Sequence, residues 1–315
     1  MRVKRLGSVA AALAGLVGLA GCSLVGPAPV ADFDVAPVVL YAGEPVTLDA
    51  SATSGEIVEY SWTLGSGAAQ SGREITTTFA VPGVYSVGLS VVDQDGRRAS
   101  MTQELTVYVR SGTRLFTEDF SDGSDALGRW ALDPEGSEDG DGHIAYAVSG
   151  DTTYCLQVHS PAERFHRRGA AIEIPPLRVG QRLSFSFTVM TTDHRTGYAF
   201  VIAPARRRLP LPAEGLPYYV YSTTPGTASM REPTESGEEI VRPVQFKPSL
   251  YQWHTYVLTY SADEYTLSVD GERWLTQPLA SDLSVGGTSW SVVGDESPTE
   301  ACAAYYGPIV VRVEE

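Results

Sequence analysis

The chain has 315 residues, with 38 Asp and Glu against 23 Lys and Arg and a formal net charge of -15 at pH 7. Such an acidic surface argues against nucleic acid as a partner, because phosphates would repel it, and against membrane binding through basic residues. Beyond the N-terminal segment there is no run of about 20 apolar residues, so no transmembrane helix is predicted. The length predicts one large or two medium-sized domains.

The chain begins "MRVKRLGSVAAALAGLVGLAGC". Arg2, Lys4 and Arg5 give it a basic start. Residues 6–20 form an apolar stretch of small residues that is too short for a comfortable bilayer span. This arrangement is typical of a signal for export.

The end of this segment, Leu-Ala-Gly-Cys at 19–22, resembles the bacterial lipobox, in which the Cys is lipidated and the residues before it are removed. The resemblance implies a signal peptide over 1–21, lipidation at Cys22 and a lipidated tether over 22–31, rich in Pro and Gly. It places the protein in the bacterial cell envelope, anchored in a membrane and facing the periplasm or the outside. An ordinary secretory peptide with an incidental Cys is the alternative.

Three cysteines are present, and two remain if Cys22 carries lipid. An even pair in an exported protein favours a disulfide, here between Cys155 and Cys302. Two buried free thiols are the alternative.

After the tether, short runs of alternating apolar and polar residues are separated by turn residues at close spacing. This pattern is typical of an all-β sandwich and not of βαβ units. The stretch "RSGTR" at 110–114 separates two such parts. We therefore predict one domain over 32–110 and a second over 115–315.

The first domain contains the motifs GEPV at 43–46, LDAS at 48–51, YSW at 60–62, PGVY at 82–85 and VVDQDG at 91–96. With these motifs it resembles the PKD domain, a bacterial surface relative of the immunoglobulin sandwich. The resemblance implies a spacer or interaction module without catalytic residues, with Trp62 in the core between the sheets. The family usually has Trp-Asp-Phe-Gly-Asp-Gly, whereas WTLGSG stands at 62–67, which removes the basis for a cation-binding or hydrogen-bonding role of that loop.

The second domain contains three informative stretches, "LFTEDFSDGSDALGRWALDP" at 115–134, "WHTYVLTYSADEYTLSVDG" at 253–271 and "ACAAYYGPIVVRVEE" at 301–315. In these stretches and their order it is similar to the concanavalin-A-like and laminin-G-like jelly rolls. It implies that the terminal strands lie side by side, and a bridge from Cys155 to Cys302 fits that arrangement. Members of this fold group include both glucan hydrolases and modules that cut nothing.

Retaining glycan hydrolases need two carboxyl groups about 5 Å apart. Laminarinase-type enzymes carry them on one strand as Glu-x-Asp-x-x-Glu. Here the only similar spacing is DPEGSE at 133–138, where Pro and Gly indicate a turn. The motif DHR at 193–195, with a Tyr, would fit a jelly-roll polysaccharide lyase or simply a polar turn. No catalytic residue is assigned, so the sequence favours a binding function over an enzymatic one.

An acidic stretch in the second domain contains DGDG, and its Asp139 and Asp141 are candidate calcium ligands. A solvated acidic loop is the alternative. No other cofactor is expected.

Sugar-binding proteins use aromatic faces with a few polar groups. The strand-like runs of the second domain supply candidates, although each could instead fill the sandwich core, to which we assign Trp130, Trp253 and Val257. The candidate ligand-binding residues are Tyr198, Tyr219, Tyr221, Arg231 and Trp290.

The sequence therefore predicts an all-β protein, with an N-terminal immunoglobulin-like PKD sandwich and a C-terminal concanavalin-A-like jelly-roll sandwich. The main hypothesis is a lipid-anchored cell-surface protein whose jelly roll binds an extracellular polysaccharide or surface glycan, with the PKD domain as a spacer. The alternatives are a divergent glycan hydrolase or lyase and a non-catalytic component of an envelope assembly with a protein as partner.

Overall fold

The computed structural model describes residues 26–65, 68–122, 129–132, 144–149, 153–160, 167–191, 199–205, 216–222, 227–234, 239–279, 283, 287–294 and 302–315. Within these ranges the regular structure consists of β-strands and one 3-10 turn, Ala50–Ala52. The strands build two sandwiches in succession, which confirms the predicted all-β fold class.

The N-terminal sandwich packs a three-stranded sheet on a five-stranded sheet. Its strands are β1 (Asp34–Ala36), β2 (Leu40–Tyr41), β3 (Pro45–Asp49), β4 (Ile57–Leu64), β5 (Ala68–Ser71), β6 (Glu74–Thr78), β7 (Gly83–Asp93) and β8 (Arg98–Tyr108). The orders are β1-β3-β6 and β2-β8-β7-β4-β5. The β2–β8 pair is parallel, and the other pairs are antiparallel.

Strand alternation builds the core of this sandwich. Along β7, Val87, Leu89 and Val91 are buried while the residues between them are half-buried. Trp62 is fully buried, with its ring 5.1 Å from that of Phe33, and its indole N–H donates to a backbone carbonyl oxygen at 2.8 Å. The prediction that Trp62 belongs to the core is confirmed.

The turn from β7 to β8 is closed by the buried carboxylate of Asp93. It accepts the backbone N–H groups of Asp95 at 3.0 Å and Arg97 at 2.8 Å, and the Arg97 side chain at 2.7 Å. Burial acts to raise the pKa of Asp93, but the hydrogen bonds and charge of Arg97 outweigh it and lower that pKa.

The C-terminal sandwich packs a seven-stranded sheet on an eight-stranded sheet. Its strands are β9 (Arg114–Glu118), β10 (Ala131–Leu132), β11 (Ile144–Ser149), β12 (Thr153–Ser160), β13 (Arg167–Ile174), β14 (Arg182–Thr191), β15 (Ala199–Ala205), β16 (Tyr218–Ser222), β17 (Thr227–Pro233), β18 (Glu239–Val244), β19 (Trp253–Tyr260), β20 (Glu264–Val269), β21 (Glu272–Pro278), β22 (Gly287–Gly294) and β23 (Cys302–Glu314).

The seven-stranded sheet has the order β10-β13-β22-β15-β16-β17-β18. The other sheet has the order β11-β12-β23-β14-β19-β20-β21, with β9 also paired to β23. The first and last strands of this unit therefore lie side by side. The hairpin β19–β20 pairs Leu258 with Leu267, and Trp130 is fully buried as predicted.

The register argues against the predicted disulfide. In the antiparallel pair of β12 and β23, Cys302 lies opposite Ser160, five positions along β12 from Cys155. At about 3.3 Å per residue this separates the two Cys Cα atoms by roughly 16 Å. A disulfide requires about 7 Å or less, so an intrachain bridge is incompatible with this register.

Candidate functional site

Tyr219 does not lie on a binding surface. Its side chain is fully buried in the core of the C-terminal sandwich, and its ring centroid is 4.9 Å from that of Tyr256. The prediction that Tyr219 contacts a ligand is therefore wrong: a fully buried ring offers no face to a sugar. Tyr218, the next residue, is also fully buried but lies outside that core, as expected from strand alternation.

Of the remaining candidates, Arg231 is half-buried on β17, directly opposite Tyr218. The register pairs Tyr221 with the buried Ala228, and it pairs Trp290 with alanines of β13 and β15. The ligand contacts of Arg231, Tyr221 and Trp290 stay predictions.

Several predicted positions lie outside the described residues. They are Tyr198, the calcium candidates Asp139 and Asp141, the lipidation site Cys22, and the motifs at 133–138 and 193–195. In the part of the chain that the structure describes, no three or more His, Cys, Asp or Glu side chains are grouped so as to hold a metal ion. In the same part, no helix has the length and apolar character needed to span a membrane.

Trp253 lies on the outer face of the eight-stranded sheet. Along β19 the residues His254, Tyr256 and Leu258 are buried, whereas Trp253 and Val257 are half-buried on the other face. The assignment of Trp253 and Val257 to the core is therefore wrong. Strand parity turns both of them away from the sandwich interior.

The indole of Trp253 lies across the neighbouring strand β14. A Cβ at Gly307 would be 3.3 Å from Cζ3 of Trp253 and 2.2 Å from Oγ1 of Thr188. Gly307 belongs to β23, and β14 separates β23 from β19, so the ring spans the strand between them. The missing side chain at Gly307 provides the space for the ring, and the buried Oγ1 of Thr188 has no hydrogen-bond partner among the residues that the structure describes.

Two more half-buried side chains flank the indole. Met190 on β14 pairs in register with Trp253 on one side and with Tyr305 of β23 on the other. The exposed Thr255 follows on the same face of β19. We call this group, Met190, Thr188, Trp253, Thr255 and Tyr305, the Trp253 face.

Tyr251 stands at the edge of the Trp253 face. It is 70% exposed, which is unusual for so large an aromatic side chain, and its φ is +58°. That left-handed conformation strains a bulky residue, and such strain is concentrated at functional sites. Its backbone N–H donates to the carbonyl oxygen of Thr191 at 2.8 Å, which fixes Tyr251 next to the end of β14.

A histidine–carboxylate pair lies behind this edge. Nδ1 of His254 is 2.7 Å from Oδ2 of Asp270, whose Oδ1 accepts the backbone N–H of Thr255 at 2.8 Å. Burial acts to raise the pKa of Asp270, but the hydrogen bonds from His254 and Thr255 outweigh it and lower that pKa. Asp270 is therefore ionised at neutral pH.

The Trp253 face consists of aromatic, thioether and hydroxyl side chains, and its five residues include no carboxylate. It offers an indole, a phenol, a thioether and the hydroxyl of the exposed Thr255, a set suited to stacking and hydrogen bonding, whereas Oγ1 of Thr188 is buried. Sequence reasoning missed it because Trp253, a large aromatic residue in an alternating strand, was assigned to the core. Alternation along β19 separates Trp253 from Tyr256 and Leu258, but both sets are apolar, so the pattern does not show which set faces the core.

Residues 26–109 match the family model described as "PKD domain". The PKD1 domain of the Vibrio cholerae metalloprotease PrtV is 31% identical, covering 26% of this chain and 98% of that one at a TM-score of 0.23. No curated protein matches the chain in sequence.

Two similar structures extend over the C-terminal sandwich. One is a structure described as the basis for the promiscuous specificity of carbohydrate-binding modules from the β-sandwich superfamily. It is 17% identical in sequence and covers 92% of this chain and 99% of that one, with a TM-score of 0.30. The other is the carbohydrate-binding module CBM66 from Bacillus subtilis: it is 13% identical and covers 59% and 96%, with a TM-score of 0.37. At these TM-scores they do not bear on what this chain binds. The N-terminal sandwich, by contrast, belongs to the PKD domain family, as its sequence motifs imply.

Proposed function

We propose that the C-terminal sandwich binds an extracellular glycan on the Trp253 face, and that a lipid anchor and the PKD domain hold it at the bacterial cell envelope. The observation that carries the proposal is the Trp253 indole, half-buried across β14 over the space left by Gly307. The C–H face of a pyranose ring stacks on such an aromatic surface, while its hydroxyls bond to neighbouring polar groups such as Thr255.

The PKD domain suits a spacer because its two connections lie at opposite ends. The N-terminal connection is held at the β7–β8 turn, where the Arg97 side chain donates to the carbonyl oxygen of Gly26 at 2.6 Å. The chain leaves at Tyr108, the far end of β8. The 11 residues of β8 span about 33 Å, so the domain holds the C-terminal sandwich about that far from the tether.

The lipid anchor is supported by the sequence of the leader. A basic start, a short apolar stretch and the Leu-Ala-Gly-Cys motif that ends at Cys22 occur in the order of a lipoprotein signal. More than one acyl chain on Cys22 would give lasting attachment.

The test is a glycan array probed with the full mature chain in detergent, followed by titration of each hit. Trp253→Ala should weaken binding by about 1–3 kcal/mol, as for other stacking aromatics at the centre of an interface. Val179→Ala is the matched control, because Val179 is a residue of the same domain that is 88% exposed. Wild-type affinity in a folded Trp253→Ala variant would overturn the proposal.

A second assay separates binding from cleavage. Reducing-sugar release is measured on every glycan that binds, with the wild type and with Glu135→Gln combined with Glu138→Gln. We expect no turnover and no change in affinity in this double variant. Turnover that is lost in the double variant would instead favour the hydrolase.

A further inference from the structure

The loop between β18 and β19, residues 245–252, presents Tyr251 beside the Trp253 face. Two hydrogen bonds hold its second half. The backbone N–H of Tyr251 donates to the carbonyl oxygen of Thr191 at 2.8 Å, and that of Ser249 donates to Nε2 of His254 at 3.0 Å. Within the described part of the chain, the side-chain acceptor that holds this loop is the imidazole of His254.

The hydrogen bonds define the tautomer of His254. A backbone N–H can only donate, so Nε2 accepts from Ser249 and the ring proton resides on Nδ1. Nδ1 donates this proton to Oδ2 of Asp270 at 2.7 Å. Two hydrogen bonds to the backbone of Thr255 hold Asp270 in turn. Oδ1 of Asp270 accepts the backbone N–H of Thr255 at 2.8 Å, and the backbone N–H of Asp270 donates to the carbonyl oxygen of Thr255 at 2.8 Å. Both ring nitrogens therefore have a fixed partner.

Packing keeps the imidazole in place. His254 is 8% exposed, and its ring centroid is 5.3 Å from that of Phe246, edge to face. Phe246, at the start of the same loop, also contacts Tyr256 and Trp274 at 5.9 and 5.3 Å between ring centroids. The start of the loop is thus anchored on the core, while its middle is attached to His254.

We propose that His254, oriented by Asp270, is a positioning residue that holds the 245–252 loop so that Tyr251 completes the glycan-binding surface. The inference rests on the proposed function for its ligand, but its structural part does not. His254 does not touch the sugar; it acts through Ser249 and the loop.

Two amide substitutions separate the contacts of the imidazole. In His254→Gln the side-chain oxygen can occupy the position of Nε2 and still accept from Ser249. In His254→Asn the shorter amide can replace Nδ1 and still donate to Asp270, but it leaves Ser249 without an acceptor. Because one hydrogen bond to the loop is lost, we expect about tenfold weaker glycan binding in the Asn variant and affinity within about threefold of wild type in the Gln variant.

A loop-side variant covers the case in which a substitution at His254 prevents folding. Ser249→Pro removes the same N–H donor without altering the core, and we expect the same loss of affinity as in His254→Asn. Equal affinities for the Asn and Gln variants, or an unaffected Ser249→Pro variant, would overturn the positioning role.

The loop can also be observed without a ligand. Lys247 lies in it and is the one lysine beyond residue 21, so reductive 13C-methylation labels it together with the amino terminus alone. The Lys247 methyl signal should sharpen and shift in His254→Asn and in Ser249→Pro, but not in His254→Gln. An unchanged signal in all three refutes the proposed role of His254, whereas wild-type affinity in Trp253→Ala refutes the glycan site.

Discussion

Gly307→Ala would test the packing beneath Trp253 without removing an aromatic ring. The added Cβ would lie 2.2 Å from Oγ1 of Thr188 and 3.3 Å from Cζ3 of Trp253. Unbonded heavy atoms are most stable at about 3.5–4.0 Å, so the Thr188 contact must open by more than about 1 Å. Thr188 belongs to β14, which is paired on both sides, so its backbone cannot withdraw without disturbing β19 or β23, and Oγ1 must leave its present position.

The expected cost is that of overpacking, about 1–3 kcal/mol in the free energy of unfolding. In a domain of this size each kcal/mol lowers Tm by about 2–4 °C. Scanning calorimetry measures the loss of stability, and titration of a glycan hit measures the weaker affinity expected once the indole is displaced. Gly26→Ala is the control, because its Cβ would meet none of the described residues within 4 Å.

A double-mutant cycle shows whether the clash between the new Cβ and Oγ1 of Thr188 causes the loss of stability. Thr188→Ala removes Oγ1, and the nearest remaining contacts of the new Cβ are then 3.3 and 3.4 Å. Gly307→Ala should therefore cost less in the Thr188→Ala background than alone. An unchanged Tm in Gly307→Ala, or a cost that Thr188→Ala does not reduce, would refute the described packing of Trp253.

Three further predictions concern the lipid anchor, the two remaining cysteines and the pH dependence of stability. Cys22→Ser should release the protein from the membrane fraction, and a fully membrane-bound variant would contradict the lipid anchor. Thiol titration under denaturing, non-reducing conditions should find Cys155 and Cys302 both free, because their register keeps them apart; the absence of thiols would contradict that register. The folded pKa of Asp93 lies below its unfolded value of about 3.9, so the stabilisation is present above that pH and lost as pH falls through the folded pKa. Asp93→Asn should remove this pH dependence and lower the midpoint of chemical denaturation, because the hydrogen bonds and charge pairing to Arg97 are weakened.

Local patterns were sufficient to predict both sandwiches. Val87, Leu89 and Val91 alternate with small residues along β7 and form its buried face, and the Asp-Gly pair at 95–96 is typical of the turn found there. Trp62 was placed correctly because a single Trp in an immunoglobulin-like strand has few alternatives to the space between the sheets. These features depend on residues close together in the sequence.

The Trp253 face could not be predicted in the same way, because both faces of β19 carry apolar residues. One face has Trp253 and Val257, and the other has Tyr256 and Leu258. Alternation separates the two sets but does not say which one meets the opposite sheet. Only the packing of Tyr256 against Tyr219 from that sheet decides it.

Register could not be predicted either. An even pair of cysteines in an exported protein favours a disulfide between them. A shift of one residue in a strand pair, however, changes the pairing partner of every residue along the strand. Cys302 lies opposite Ser160 in the same register that places Tyr306 opposite Leu156. The sequence pattern of either strand alone does not predict this register.

The junction between the sandwiches decides how the binding surface would be presented. Val109 is buried in the core of the C-terminal sandwich, and its carbonyl oxygen accepts the side-chain N–H of the buried Gln181 at 2.9 Å. Arg110, the next residue, contacts the PKD side: its Nε donates to Glu44 at 2.8 Å, and its guanidinium lies 4.8 Å from the ring centroid of Tyr41. Adjacent residues are thus fixed to different sandwiches, so rotation about the linker would break contacts on both sides. A spacer joined in this way would hold the Trp253 face in a set direction, and its freedom of movement would come from the tether instead of the linker.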